Sequence, residues 1–148
     1  MYIFLIIVIT VFVLIAIASA KATKAHQKFI EEYNEFLTDN EGLEIFCYTN
    51  RLKFCDAIEV QLVPTLDEHI HVIKLIGKVP QTQLNESFIS HALCNLKEVG
   101  FPNVMRVVDG KFIDLSLHKP IYDAINNNNI NLLPSLVHEK LKKLRGLV

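Results

Sequence analysis

The feature that most constrains this chain is an uncharged run from Tyr2 to Ala20. About 20 apolar residues are needed to cross a hydrocarbon core of about 30 Å as a helix, so the run is long enough to span a bilayer. Thirteen of its residues are Leu, Ile, Phe or Val. At roughly −0.3 to −0.6 kcal/mol each near the bilayer centre, they favour insertion by about −4 to −8 kcal/mol at most. Thr10 and Ser19 do not offset this, because a hydroxyl can bond back to its own helix.

A cleavable export signal is the rival reading, since Ala18-Ser19-Ala20 has the small-x-small pattern that a signal peptidase accepts. Such a signal has a basic leading region and a shorter apolar segment. Here no basic side chain precedes the run, which supports a retained anchor over residues 1–20. Lys21, Lys24 and Lys28 follow it, and positive flanks stay in the cytoplasm. The expectation is a single-pass membrane protein with its remaining chain cytoplasmic. Three cysteines, an odd and small number, form a poor disulfide framework and fit a reducing compartment.

Ala22, Ala25, Phe29, Tyr33 and Phe36 recur at helical spacing, so the anchor is expected to continue into a juxtamembrane helix over 21–40. Asn40 and Gly42 supply its exit. The stripe is too short for a sustained coiled coil. Packing against the chain's own domain is the simpler use for it.

Residues 41–118 read as an α+β domain. Three runs, "LEIFCYTN", "LKFCDAIEVQLV" and "HIHVIKLIGKV", are rich in branched and aromatic residues and alternate in polarity, which predicts an antiparallel meander. In the second run Leu52, Phe54, Ile58, Val60 and Leu62 would share one face. Cys47 and Cys55 could then meet across a hairpin. A helix follows, with Asn85 as N-cap and an apolar stripe of Phe88, Ile89, Ala92, Leu93, Leu96 and Val99. Asp109-Gly110 between two alternating runs predicts a two-residue hairpin. The resulting fold class is a small, mostly antiparallel sheet of about five strands, ordered β-β-β-α-β-β along the chain, covered by a helix and followed by C-terminal helices over 119–148.

In that last segment Pro120 opens one helix, the Asn126 to Asn129 run breaks it, and Pro134 or Ser135 starts another. Val137, Leu141, Leu144 and Val148 share a face, ringed by Lys140, Lys142, Lys143 and Arg145. A basic amphipathic helix can lie on an anionic membrane surface, or simply dock its apolar stripe on its own domain.

Chemistry-bearing residues are sparse. His69 and His71, two apart on a strand, could form half of a metal site, but no third ligand is singled out by spacing. Cys94 has His91 one turn before it; bordering an apolar stripe, it reads as a buried, inert thiol rather than a nucleophile. No phosphate loop, paired-cysteine motif or nucleophile elbow is present, and no cofactor is expected. A net charge of −1 gives no general attraction to nucleic acid. The sequence therefore points to a non-enzymatic, membrane-tethered module whose partners are the lipid bilayer and a protein or a second copy of itself. The alternatives are a small tethered hydrolase or metal-dependent enzyme using His and Cys, and an exported domain released at Ala20.

Overall fold

A computed structural model describes residues 2–51, 53, 55–98 and 100–146, apart from the side chains of residues 2–11 and 13. The chain divides into two units, residues 1–36 and residues 37–148.

The first unit lies on α1 (Tyr2–Asp39), which is continuous through the predicted anchor and juxtamembrane segments. Ser19 Oγ donates to the Ala16 carbonyl at 2.9 Å and Thr23 Oγ1 to the Ser19 carbonyl at 3.0 Å, so both hydroxyls are satisfied within the helix. Phe12, Leu14, Ile15 and Ile17 are exposed, Phe12 by 71%. Further on, Lys28 pairs with Glu32 and the Phe29 and Tyr33 rings stack. Among the described residues no helix is long and apolar enough to cross a membrane, so the transmembrane reading of Tyr2 to Ala20 gains no support there. Most of the apolar run, like Thr10, has its side chains outside the described residues.

The second unit is α+β, built on a five-stranded mixed sheet in the order β3-β2-β1-β4-β5. Its strands are β1 (Glu44–Thr49), β2 (Ile70–Ile76), β3 (Val79–Gln81), β4 (Asn103–Val108) and β5 (Lys111–Ser116). Its helices are α2 (Cys55–Ala57), α3 (Glu86–Cys94), α4 (His118–Asn126) and α5 (Leu133–Arg145).

The first three runs do not form the expected antiparallel meander. The second run is not a strand: α2 leads into a π-helical turn (Ile58–Leu62) and a 3-10 turn (Val63–Thr65). Ile58 and Leu62 are four apart and both fully buried, whereas Val60 is 72% exposed. The run therefore has helical periodicity, and its alternation was incidental. This helical segment is the crossover that lets β1 and β2 pair in parallel, with Phe46 opposite Val72 and Tyr48 opposite Lys74. Leu52 and Phe54 lie outside the described residues. The third run also divides: Gly77, at φ +67, turns the chain so that β3 folds back antiparallel on β2. Because Cys47 lies between Ile73 of β2 and Asn103 of β4, no hairpin brings it to Cys55, and both thiols are free.

The core lies on one face of the sheet. Phe46, Tyr48, Ile70 and Val104 meet Ile58 and Leu62 of the crossover, Ile121 of α4, and Val137, Leu141 and Leu144 of α5. The apolar stripe of α5 thus docks on its own domain; Val148 lies outside the described residues. Ile45, Cys47, Ile73, Met105 and Val107 are buried on the opposite face. Asn85 caps α3 as expected, its Oδ1 accepting from the Ser87 and Phe88 N–H groups. The helix stops at Cys94, short of Leu96 in the predicted stripe, and leaves Cys94 exposed rather than buried; Val99, the last residue of that stripe, lies outside the described residues. Asp114 stabilises the segment that follows: its carboxylate accepts from the Lys97 and Glu98 N–H groups, each at 2.9 Å.

Asp109 and Gly110, at φ 50 and 66, form the predicted hairpin between β4 and β5. Glu41 clamps it, accepting from the Asp109 N–H at 3.0 Å and the Gly110 N–H at 3.1 Å. A Cβ at Gly110 would meet nothing within 4 Å, so a substitution there tests backbone strain alone. Gly110→Val is expected to destabilise the domain by about 1 to 3 kcal/mol, because a β-branched residue is poorly tolerated at positive φ. An unchanged melting temperature would contradict the turn geometry.

Candidate functional site

Two polar clusters stand at opposite ends of the core face of β1, four residues apart and so separated by roughly 13 Å along the strand. The first is centred on Glu44, a carboxylate at the start of β1 that is only 4% exposed. Arg145, at the end of α5, donates through Nε to Oε1 at 2.6 Å and through Nη2 to Oε2 at 2.7 Å. Arg106, directly opposite Glu44 on β4, approaches Oε1 at 3.6 Å. His69 Nε2 lies 3.5 Å from Oε2 and 3.2 Å from Arg145 Nη2. Burial alone would raise the Glu44 carboxyl pKa. The hydrogen bonds and charge of Arg145, with the charges of Arg106 and His69, outweigh that effect and hold it below the usual range.

This geometry joins two residues that the sequence singled out for different purposes. His69, a candidate metal ligand, turns to Glu44 and Arg145. His71, on β2, instead lines a groove with Gln81, Thr82 and Gln83. Among the described residues no group of three His, Cys, Asp or Glu side chains could hold a metal ion. Arg145, one of the four predicted membrane-surface cations, is engaged with Glu44; Lys142 and Lys143 are exposed and Lys140 is partly so. Glu44 and Arg106 were missed. The signal was there: each is the lone charge in an otherwise largely apolar strand, and the charges are opposite.

At the other end of the strand Glu59 is the hub. Its Oε1 accepts from the Tyr48 hydroxyl at 3.2 Å and the Cys55 thiol at 3.3 Å, and it pairs with Lys74. Burial, then the Glu59 carboxylate, raises the Cys55 pKa, and burial raises Cys47 to about 12. Neither cysteine is set up as a thiolate nucleophile. The Glu44 carboxylate is ion-paired and held ionised, a poor proton acceptor near neutral pH. The chemistry of both clusters is that of cross-element pairing: Glu44 ties α5 to β1 and β4, and Glu59 ties the crossover to β1 and β2.

Two openings flank the first cluster. One, of about 280 Å³, lies between the end of the crossover and α5, lined by Leu66, Asp67, Ile70, Ser135, His138 and Leu141 among others. The other is the His71 groove, of about 570 Å³.

No family model, curated protein or solved structure matches the chain.

Proposed function

We propose that the chain is a single-pass, membrane-anchored α+β module that acts by binding a protein partner, or a second copy of itself, at the cytoplasmic side of the membrane. The observation that carries the reading is the row of exposed apolar side chains Phe12, Leu14, Ile15 and Ile17 on a continuous helix that begins in the apolar run and ends at the folded domain. In water such a surface is unfavourable; in lipid it is the ordinary solvent-facing surface of a helix. Lys21, Lys24 and Lys28 after the run support the cytoplasmic orientation. Exposed Lys142 and Lys143 are available to an anionic leaflet, where each adds roughly 1 kcal/mol. The interaction role is favoured over catalysis because the polar clusters are engaged in joining elements of the fold.

Charges placed in the helix test the anchor in the full chain. Exchanging an apolar residue for Arg near a bilayer centre costs about 3 to 4 kcal/mol, so Phe12→Arg with Leu14→Arg cancels most of the insertion energy. The unaltered chain is expected to stay with membranes through carbonate washing, and the double variant to be released. Equal release of both would overturn the anchor. A reporter that works only outside the cytoplasm, fused after Gly146, should be silent; its activity would reverse the orientation.

A further inference from the structure

The sheet is incomplete at one edge. β2 runs from Ile70 to Ile76, but β3 pairs only with Lys74, Leu75 and Ile76. Beyond Gln81 the chain leaves the sheet through a turn in which the Leu84 N–H bonds to Thr82 Oγ1. Among the described residues no strand pairs with the outer edge from Ile70 to Ile73.

The register says which backbone groups are left there. The Leu75 carbonyl accepts from the Asn50 N–H, so Leu75 directs its backbone groups toward β1, and by alternation so do Ile73 and His71. The even-numbered residues face outward. Ile76 and Lys74 meet β3, and the Ile70 N–H bonds to the Asp67 carbonyl. Val72 remains, its N–H and C=O directed into the 570 Å³ groove bounded by Gln81, Thr82 and Gln83. A strand edge presenting an N–H and a C=O recognises another extended backbone.

We propose that this open edge around Val72 is a docking slot for a short extended segment of a partner protein, which adds to the sheet as an antiparallel continuation of β3. The slot deepens the interaction-module reading and rests on it for the existence of a partner. It accepts about four residues at about 3.4 Å each before meeting Gln81 to Gln83. That length disfavours a second copy's seven-residue β2, which would run into the same residues. The incoming residue opposite Val72 places its side chain beside half-buried Val72, so it is apolar. Running antiparallel, the segment ends near Glu68, the one carboxylate that lines the groove among the described residues, so a basic residue follows.

The test uses the full chain in detergent micelles and a phage-displayed library of random heptapeptides as probe. Selected peptides are expected to carry an apolar residue followed by a basic one. Their affinity should fall about tenfold or more with Val72→Pro, which removes the outward N–H yet spares the bonds to β1. Since that variant could disturb β2, the second arm alters only the peptide: N-methylation along its backbone should weaken binding at alternate positions, and the Val72 amide of the unaltered protein should exchange more slowly when peptide is bound. No selected binder, or binders indifferent to both Val72→Pro and the N-methyl scan, would overturn the slot. Because membrane retention is scored separately by carbonate washing, a retained chain with no edge-dependent binder overturns the slot alone and leaves the anchored-module reading standing.

Discussion

Arg145→Met is expected to lower the unfolding free energy of the domain by about 2 to 3 kcal/mol near neutral pH. Breaking a buried ion pair from one side costs roughly 3 to 5 kcal/mol, because the remaining charge is left uncompensated; the lower range applies here because Arg145 is itself about a third exposed. Without Arg145, Glu44 keeps only Arg106 at 3.6 Å and His69 at 3.5 Å, and loses both short bonds. Arg145→Lys should recover part of the loss, since an ammonium restores charge but not the two-pronged fork. A cycle with Glu44→Gln should be strongly non-additive, because either change alone strands the opposite charge.

The same pair sets an acid dependence. The folded Glu44 pKa lies below its unfolded value of about 4.5, so over that interval the unfolded chain binds more protons than the folded one. The stabilisation is therefore complete above the unfolded pKa and is lost as pH falls through the folded one. Denaturation measured from neutral pH into the acid range should show a smaller decline in Arg145→Met than in the unaltered chain. Parallel declines would contradict the role assigned to the pair.

The second large effect separates the helical crossover from the strand that alternation predicts. Ile58→Ala should cost about 2 to 5 kcal/mol, the range for truncating a buried aliphatic side chain, whereas Val60→Ala should stay within about 0.5 kcal/mol. A meander would place Ile58 and Val60 on one face and make both changes harmful. In the fold Ile58 is fully buried against the core and Val60 is largely exposed. Comparable losses in chemical denaturation for the two variants would restore the strand.

This pair of residues also shows why part of the fold was hidden. Ile58 and Leu62 fit a helix at a spacing of four, yet with Val60 between them they fit a strand at a spacing of two. Branched residues on both sides favour the strand. Deciding between them requires knowing that β1 and β2 are parallel neighbours, which is a long-range fact that a crossover reveals only after folding. Features written in local chemistry were legible: the Asn85 cap, the Asp109-Gly110 turn, and the Asn-rich break before α5. Of the charged cluster, His69 and Arg145 stood out in the sequence, but for metal and membrane roles. Their common partner, Glu44, is 101 positions from Arg145, and nothing local links the two.

Whether the domain is tethered by residues 1–20 is read from the intact mass of the chain recovered from carbonate-washed membranes. The expected result is a membrane-held chain whose mass includes the whole segment from Tyr2 to Ala20. A recovered chain beginning at Lys21, or one found only in the wash, would contradict it.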